Sequence, residues 1–270
     1  MSNEILHNIS APFPANCWTS IMGPSGSGKT SLLHNLAGLV TPSQGTVYLY
    51  RGALNKASVL AQLNPARTSA LPRLGGETDE WKTEGAAASG RRIEITRSSE
   101  AQRARLRARD ISLVFQDFNL VPVLTVQDNI KLPHRLARGG ARLMLRSNTQ
   151  NRLSGQKWFD FVVESLQIEG LLRRLPNELS GGEQQRVAIA RSLCAQPQVI
   201  LADEPTGSLD SVASEQVLNL FRMAVDEFGQ TVVMVTHDED AARKGDFILR
   251  MSDGFIRSLH PARCSFELRD

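Results

Sequence analysis

Apolar residues are spaced along this chain in two distinct ways. Continuous runs at Cys17–Met22, Ile111–Phe115, Val199–Ala202 and Val232–Val235 predict buried strands, because a strand covered on both faces loses its alternation. Thr46–Tyr50 alternates, and Arg91–Ile95 is its expected antiparallel partner. Phe247–Met251 and Phe255-Ile256 flank Asp253-Gly254, a strong hairpin turn signal. Helical spacing marks Ser31–Ala37, with Leu32, Leu33 and Leu36 on one side and Gly38 as a stop. It also marks Gln156–Leu166, where positions 158, 159, 162, 163 and 166 are apolar, and Val187–Cys194. Ser99–Arg109 predicts a short polar helix, and Leu124–Leu136 a helix broken near Pro133. Periodicity fails from Gly52 to Gly90, a stretch rich in Ala, Gly, Ser and Pro, which predicts an irregular, partly disordered insertion over about residues 52–90. Gly139–Gly155 reads as loose. Strands at both ends bracket a helical middle, so the expectation is one α/β domain over 1–270 with a helical subdomain inserted at about 117–185.

Composition narrows the class. Hydrophobic residues make up 41% and charged residues 22% of 270 residues, the balance of a globular chain with a sizeable core. A formal charge of +3 is too small to argue for nucleic acid. The arginines at 103, 105, 107 and 109 lack interleaved aromatics and read as a solvated face. Cys17, Cys194 and Cys264 form no C-x-x-C pair, so disulfides and zinc are not expected. No run reaches the ~20 apolar residues of a membrane span, and no signal peptide is expected at the N-terminus.

The chemistry concentrates in three places. Gly23-Pro24-Ser25-Gly26-Ser27-Gly28-Lys29-Thr30 fits the loop that wraps nucleotide phosphates. Its glycines let successive N–H groups turn inward on an anion. Lys29 adds a compact charge for the outer phosphates, and the Thr30 hydroxyl suits Mg²⁺. A strand before the loop and a helix after it aim free N–H groups at the phosphates. Val199–Ala202 ends in Asp203-Glu204. Beside a phosphate loop the first acid is a candidate Mg²⁺ ligand, and Glu204 a candidate general base for the attacking water. Third, Ser180-Gly181-Gly182-Glu183 spells a capping box, yet a plain cap does not need two glycines. They would let an anion approach a second helix start.

The order of these motifs resembles that of ATP-binding cassette (ABC) ATPases. The resemblance rests on the phosphate loop, Gln116, Leu179–Gln184, Asp203-Glu204, Ser208-Leu209-Asp210 and His237, and spans about Ile5 to Ile256 apart from 52–90. Phe115–Leu120 and Leu201–Gly207 look most like the lipoprotein-releasing and macrolide-export subfamily. It implies a P-loop NTPase core with an antiparallel β subdomain and an inserted α-helical subdomain. It also implies two chains packed head to tail, each ATP held between one phosphate loop and the other chain's Ser180, Gly181, Gly182 and Glu183. On the same resemblance Thr30, Asp203 and Gln116 hold Mg²⁺, Glu204, His237 and Gln116 serve catalysis, and Asp210 lies at the dimer seam.

By resemblance the partners are a second ATPase subunit, identical or not, and integral membrane permease subunits, with no nucleic acid. That places the chain at the cytoplasmic face of the membrane. Phe118, Leu120, Val121 and Val123 are candidates either for permease contact or for the core of the helical lobe. The family's usual adenine-stacking aromatic lies upstream of the segment matching Ile5–Ser10, so it is not in this sequence. A non-transport member of the family serving DNA repair or translation is the second reading. A single cassette without zinc cysteines or a long heptad segment argues against it. A regulatory module that does not hydrolyse ATP is the third, and Glu204 and His237 argue against that.

Overall fold

The computed structural model describes residues 4–51, 91–138 and 155–262. The expected insertion at 52–90, nearly all of the loose 139–155 stretch, and Cys264 lie outside them. The strands are β1 (Trp18–Met22), β2 (Tyr48–Arg51), β3 (Arg91–Glu94), β4 (Ile111–Val114), β5 (Val199–Asp203), β6 (Thr231–Val235), β7 (Phe247–Ser252) and β8 (Phe255–Pro261). The helices are α1 (Lys29–Leu36), α2 (Glu100–Arg109), α3 (Val126–Arg138), α4 (Gly155–Ser165), α5 (Gly181–Cys194), α6 (Ser211–Asp226) and α7 (Glu239–Arg243).

Six strands form one sheet in the order β4-β5-β6-β1-β7-β8. Every neighbouring pair from β4 to β7 is parallel, and β8 closes the edge antiparallel to β7. The continuous apolar runs follow from this. β1 and β6 are buried along their whole length, and their side chains alternate between two cores. Trp18, Val232 and Met234 face one, with Val187 and Ile189 of α5 and Phe221 of α6. Ile21, Val233 and Val235 face the other, with Leu32 and Leu33 of α1 and Leu49 of β2. A buried aliphatic side chain of this kind contributes about 1.5–3 kcal/mol, so sheet and helices stand or fall together. β2 and β3 form a separate antiparallel pair, as expected for Thr46–Tyr50 and Arg91–Ile95.

Two expectations need correcting. The helix around Pro133 is not broken: α3 runs through it from Val126 to Arg138. Proline removes one intrahelical hydrogen bond, but Val126 and Ile130 are fully buried against the helical core, and that burial holds the turn together. The stretch Ser211–Asp226, not assigned from the sequence, is the helix α6. Its buried Val217, Leu218, Leu220, Phe221, Ala224 and Val225 carry a helical period, and Asp210 caps it by accepting from the Ala213 amide at 2.8 Å.

One side chain gathers the second half of the segment between β4 and α3. Asn129, fully buried, accepts from the Val121 amide at 2.8 Å. Its amide group donates to the carbonyls of Val121, Leu124 and Thr125 at 3.0–3.1 Å. Replacing Asn129 by Ala removes this partner from the Val121 amide and the Leu124 carbonyl, while the Val121 and Thr125 carbonyls keep backbone donors from Leu124 and residue 129. The expected loss is roughly 2–4 kcal/mol, measured as a lowered denaturant midpoint, and an unchanged midpoint would refute the clamp.

Candidate functional site

Parallel register gathers the site. Val114 stands opposite Ala202, so Gln116 leaves β4 level with Glu204 leaving β5. Asp203 pairs with Val235, so His237 emerges just past the end of β6. Ile21 pairs with the same Val235, so Gly23 begins its loop at that edge too. The phosphate loop, Asp203, Glu204, Gln116 and His237 therefore share the carboxyl edge of four adjacent strands, where open α/β sheets bind ligands.

The loop has the shape its glycines imply. Gly28 caps α1 in the left-handed region with φ 92°. A Cβ there would lie 2.8 Å from the Leu6 Cδ2, so no other residue fits without displacement. Lys29 is buried and lies across the loop, its Nζ donating to the carbonyls of Gly23 at 2.8 Å and Pro24 at 2.9 Å. An ammonium has three donors, so one remains for a phosphate oxygen.

Burial pushes the Asp203 carboxyl above the usual aspartate range, and the neighbouring Thr30 hydroxyl opposes that push. Thr30 and Asp203 thus put two hard oxygen donors beside the phosphate loop, a donor set that suits Mg²⁺. Among the described residues no cluster of three or more His, Cys, Asp or Glu could hold a metal by itself, so phosphate and water oxygens would have to complete the shell. Gln116 is exposed at the adjacent strand end.

Glu204 has φ 45°, with its amide donating to the Val235 carbonyl at 3.0 Å and its carbonyl accepting from Gly207 at 3.1 Å. These two bonds hold an uncommon backbone conformation and bring the carboxylate to His237, Nδ1 to Oε2 at 3.2 Å. A cavity of about 360 Å³ opens on this pair, lined also by Leu209, Ser214, Thr236 and Lys244. Glu204 and His237, far apart in sequence, are therefore one unit.

Ser180, Gly181, Gly182 and Glu183 stand elsewhere. Ser180 caps α5, its hydroxyl accepting from the Glu183 amide at 3.3 Å, while its own amide donates to Glu183 Oε2 at 2.7 Å. The backbone bond and then the hydroxyl bond hold the Glu183 carboxyl below the ordinary glutamate range. Gly182 lies against Leu209 and the Ser208 carbonyl, and Gly181 against the Phe118 ring. Among the described residues no hydrogen bond joins this helix start to the phosphate loop.

This arrangement agrees with what related proteins show. The sequence profile described as "ABC transporter" matches residues 6–207. The chain belongs to the ABC transporter family. It is 34% identical to the uncharacterized ABC transporter ATP-binding protein MJ0796 of Methanocaldococcus jannaschii over 95% of this chain and 90% of that one. With the lipoprotein-releasing system ATP-binding protein LolD of Acinetobacter baylyi it shares 33% identity over 93% of this chain and 88% of the other. The macrolide export ATP-binding/permease protein MacB of Rhodopirellula baltica is 34% identical over 93% of this chain, which spans only 30% of that protein's length. The fold is that of a solved dimeric MJ0796 in a post-hydrolysis state bound to ADP and Pi. The TM-score is 0.68 at 31% identity, covering 97% of this chain and 94% of that one. The cassette fold, the subfamily likeness and the reaction, ATP binding and hydrolysis, are thus as the motifs led one to expect.

Two functional neighbours in the cassette were not legible in its sequence. Gln185, buried, donates to the Pro205 carbonyl at 2.9 Å, tying α5 to the turn after Glu204. Arg191 donates to the carbonyls of Asn119 at 2.7 Å and Phe118 at 3.0 Å. Their positions on the inner side of α5 hint at contact, but polar side chains bonding to distant carbonyls leave no spacing signal.

The cap at Ser180 yields a pH dependence. A carboxyl depressed in the folded state contributes stability that is present above its unfolded value and lost as pH falls through the folded one. Glu183→Gln is therefore expected to melt lower than the parent at about pH 7, with the gap closing as pH falls below the ordinary glutamate range. Thermal melts across that range test it, and a gap independent of pH would count against the ionised cap.

Proposed function

We propose that two copies of the cassette, or one copy and a related ATPase subunit, pack head to tail around two ATP molecules and so drive a membrane permease. The observation that carries this reading is the division of the site. One chain gathers a phosphate loop, a carboxylate pair and a histidine at one sheet edge. Its second glycine-lined helix start is turned to Ser208-Leu209 and Phe118, where only another chain's nucleotide would reach it. The dimeric ADP-bound relative supports the pairing.

In this reading the phosphate loop from Gly23 to Thr30 wraps the β- and γ-phosphates, with Lys29 on the outer oxygens. Thr30 and Asp203 would hold Mg²⁺, with Gln116 completing its approach to the metal and to the attacking water. When bound, Mg²⁺ screens the charge of the phosphates. Glu204 accepts the proton of the water as its oxygen bonds to the γ-phosphorus, and the bond to the bridging oxygen breaks to leave ADP. His237, held against Glu204, lies where it can contact the γ-phosphate and orient that water. Ser180, Gly181, Gly182 and Glu183 of the opposite chain close over the γ-phosphate, with Asp210 at the seam. ATP favours the closed pair because only that state contacts it from both sides.

The permease reading rests on relatives whose names carry export and lipoprotein release. No described helix of the cassette is long and apolar enough to cross a membrane, so the transport path lies in another chain or segment. The cassette would then sit at the cytoplasmic face, held by the permease. Val123, 79% exposed, lies on the loop after Gln116 and is the apolar contact offered there. Leu120 packs into the helical core instead.

Glu204→Gln is expected to keep ATP affinity within about threefold, lower turnover by at least about a hundredfold, and accumulate an ATP-bound dimer. Steady-state hydrolysis and size-exclusion chromatography with ATP test it. Turnover that survives the change would remove Glu204 as the base.

A further inference from the structure

One flank of the phosphate loop is built by two segments far apart in sequence. The turn between β7 and β8 donates its Gly254 amide to the Ser27 carbonyl at 3.2 Å, and the Gly254 carbonyl accepts from the His7 amide at 2.9 Å. Gly254 has φ 76°, and a Cβ there would run into the Ile5 carbonyl and lie 2.7 Å from the His7 ring. On the same flank, Leu6 Cδ2 and Ile5 Cγ2 lie 2.8 Å and 3.6 Å from where a Cβ on Gly28 would stand. Residues 5–7, the turn and Ser27-Gly28 are therefore one packed unit, joined by backbone bonds and by glycines that let the chains approach.

What this unit turns outward is flat and apolar. Side chains alternate along β8, so Ile256 enters the core while Phe255 and Arg257 share the exposed face. Phe255 is 39% exposed and Ile5 57%. A lone exposed apolar side chain is ordinary, but these two stand beside a loop shaped for phosphates. The His7 ring stacks on Phe255, with centroids 4.8 Å apart and planes inclined by 25°. Glu4 Oε2 lies 3.6 Å from the His7 Nδ1. The Arg257 guanidinium lies 5.2 Å from the Phe255 centroid and 3.5 Å from the Asp253 carboxylate. Imidazole, phenyl ring and guanidinium are thus layered before any ligand arrives. Such a stack suits one more flat ring, laid offset on its neighbour.

We propose that the Phe255–His7 stack is the platform for the base of the nucleotide whose phosphates lie in the Gly23–Thr30 loop. The inference rests on reading that loop as the ATP site, and adds the groups that hold the base. The phosphates fix one end of the ligand, and the base reaches the flank where Gly254 meets Ser27. There it adds a ring to the stack, with Ile5 at its edge. Every base has a π-face, so stacking holds bases without reading their hydrogen-bonding edges. The Phe255 ring has no polar group with which to read that edge. The platform therefore favours a nucleotide over its bare phosphates, and holds adenine and guanine about equally.

The test is calorimetric binding of ADP, GDP and pyrophosphate, which are not turned over, to the full chain and to its Phe255→Ala, Phe255→Trp and His7→Ala variants. Phe255→Ala is expected to weaken ADP and GDP about tenfold each, while pyrophosphate affinity stays within about twofold. His7→Ala should weaken the two nucleotides by less, about threefold, and Phe255→Trp should bind them at least as tightly as the unaltered chain. Circular dichroism establishes that each variant is folded. Where Phe255→Ala is not, Phe255→Leu, which keeps an apolar side chain without the ring, carries the comparison. Unchanged ADP affinity in the Phe255 variants overturns the platform. So does an equal loss of ADP and pyrophosphate, which would mean that Phe255 only shapes the loop. If the unaltered chain binds ADP and the variants do too, only the platform is wrong. If the unaltered chain binds neither ADP nor pyrophosphate, the reading of the loop falls, and the platform with it.

Discussion

Parallel pairing of β4, β5, β6 and β1 in a fixed register is the constraint on which everything else in this cassette depends. Side chains alternate along a strand, so a slip of one residue would turn each apolar set to the wrong core. It would also move Glu204 away from the His237 level, and Gln116 away from both. Burial on two faces pins the register: Ile200 and Ala202 belong to one core and Leu201 to the other. The catalytic edge is therefore held by apolar packing several residues away from it, and the polar groups at that edge are free to carry strain or incomplete hydrogen bonding. Glu204 with its positive φ, and Asp203 with its raised pKa, are costs borne by that scaffold.

Helix α5 is the second organising element. It begins at the glycine pair, is tied near its start to the turn after Glu204 through Gln185, and is tied near its end to the Gln116 loop through Arg191. Its apolar side is fully buried through Val187, Ile189 and Leu193. Trp158 of α4 reaches across to the Leu193 carbonyl with its indole N–H at 2.9 Å. The helix cannot shift without disturbing loops on both sides of the carboxylate pair.

Much of this was legible in the residues. The strand runs, the hairpin at Asp253-Gly254, the phosphate loop and the capping box at Ser180 stand close to where spacing and residue chemistry predict them, because each is decided by neighbours in sequence. The break expected at Pro133 was overruled, since local propensity sees the missing hydrogen bond but not the core beneath Ile130. α6 carries its period in Val217, Leu218, Phe221 and Val225, yet its N-cap Asp210 enters the sequence reading only through the family resemblance.

By itself, then, the sequence determined most of the elements, the phosphate-loop motif and the glycine-bearing cap at Ser180, because glycine conformations, caps and apolar period are local properties. Tertiary structure alone decided which of these groups meet. Glu204 and His237 come within 3.2 Å, Thr30 reaches Asp203, and Arg191 finds the carbonyls of Phe118 and Asn119 because strand order and register bring distant segments together. A hydrogen bond between a side chain and a remote backbone carbonyl depends on that three-dimensional closure and leaves no trace in the order of residues.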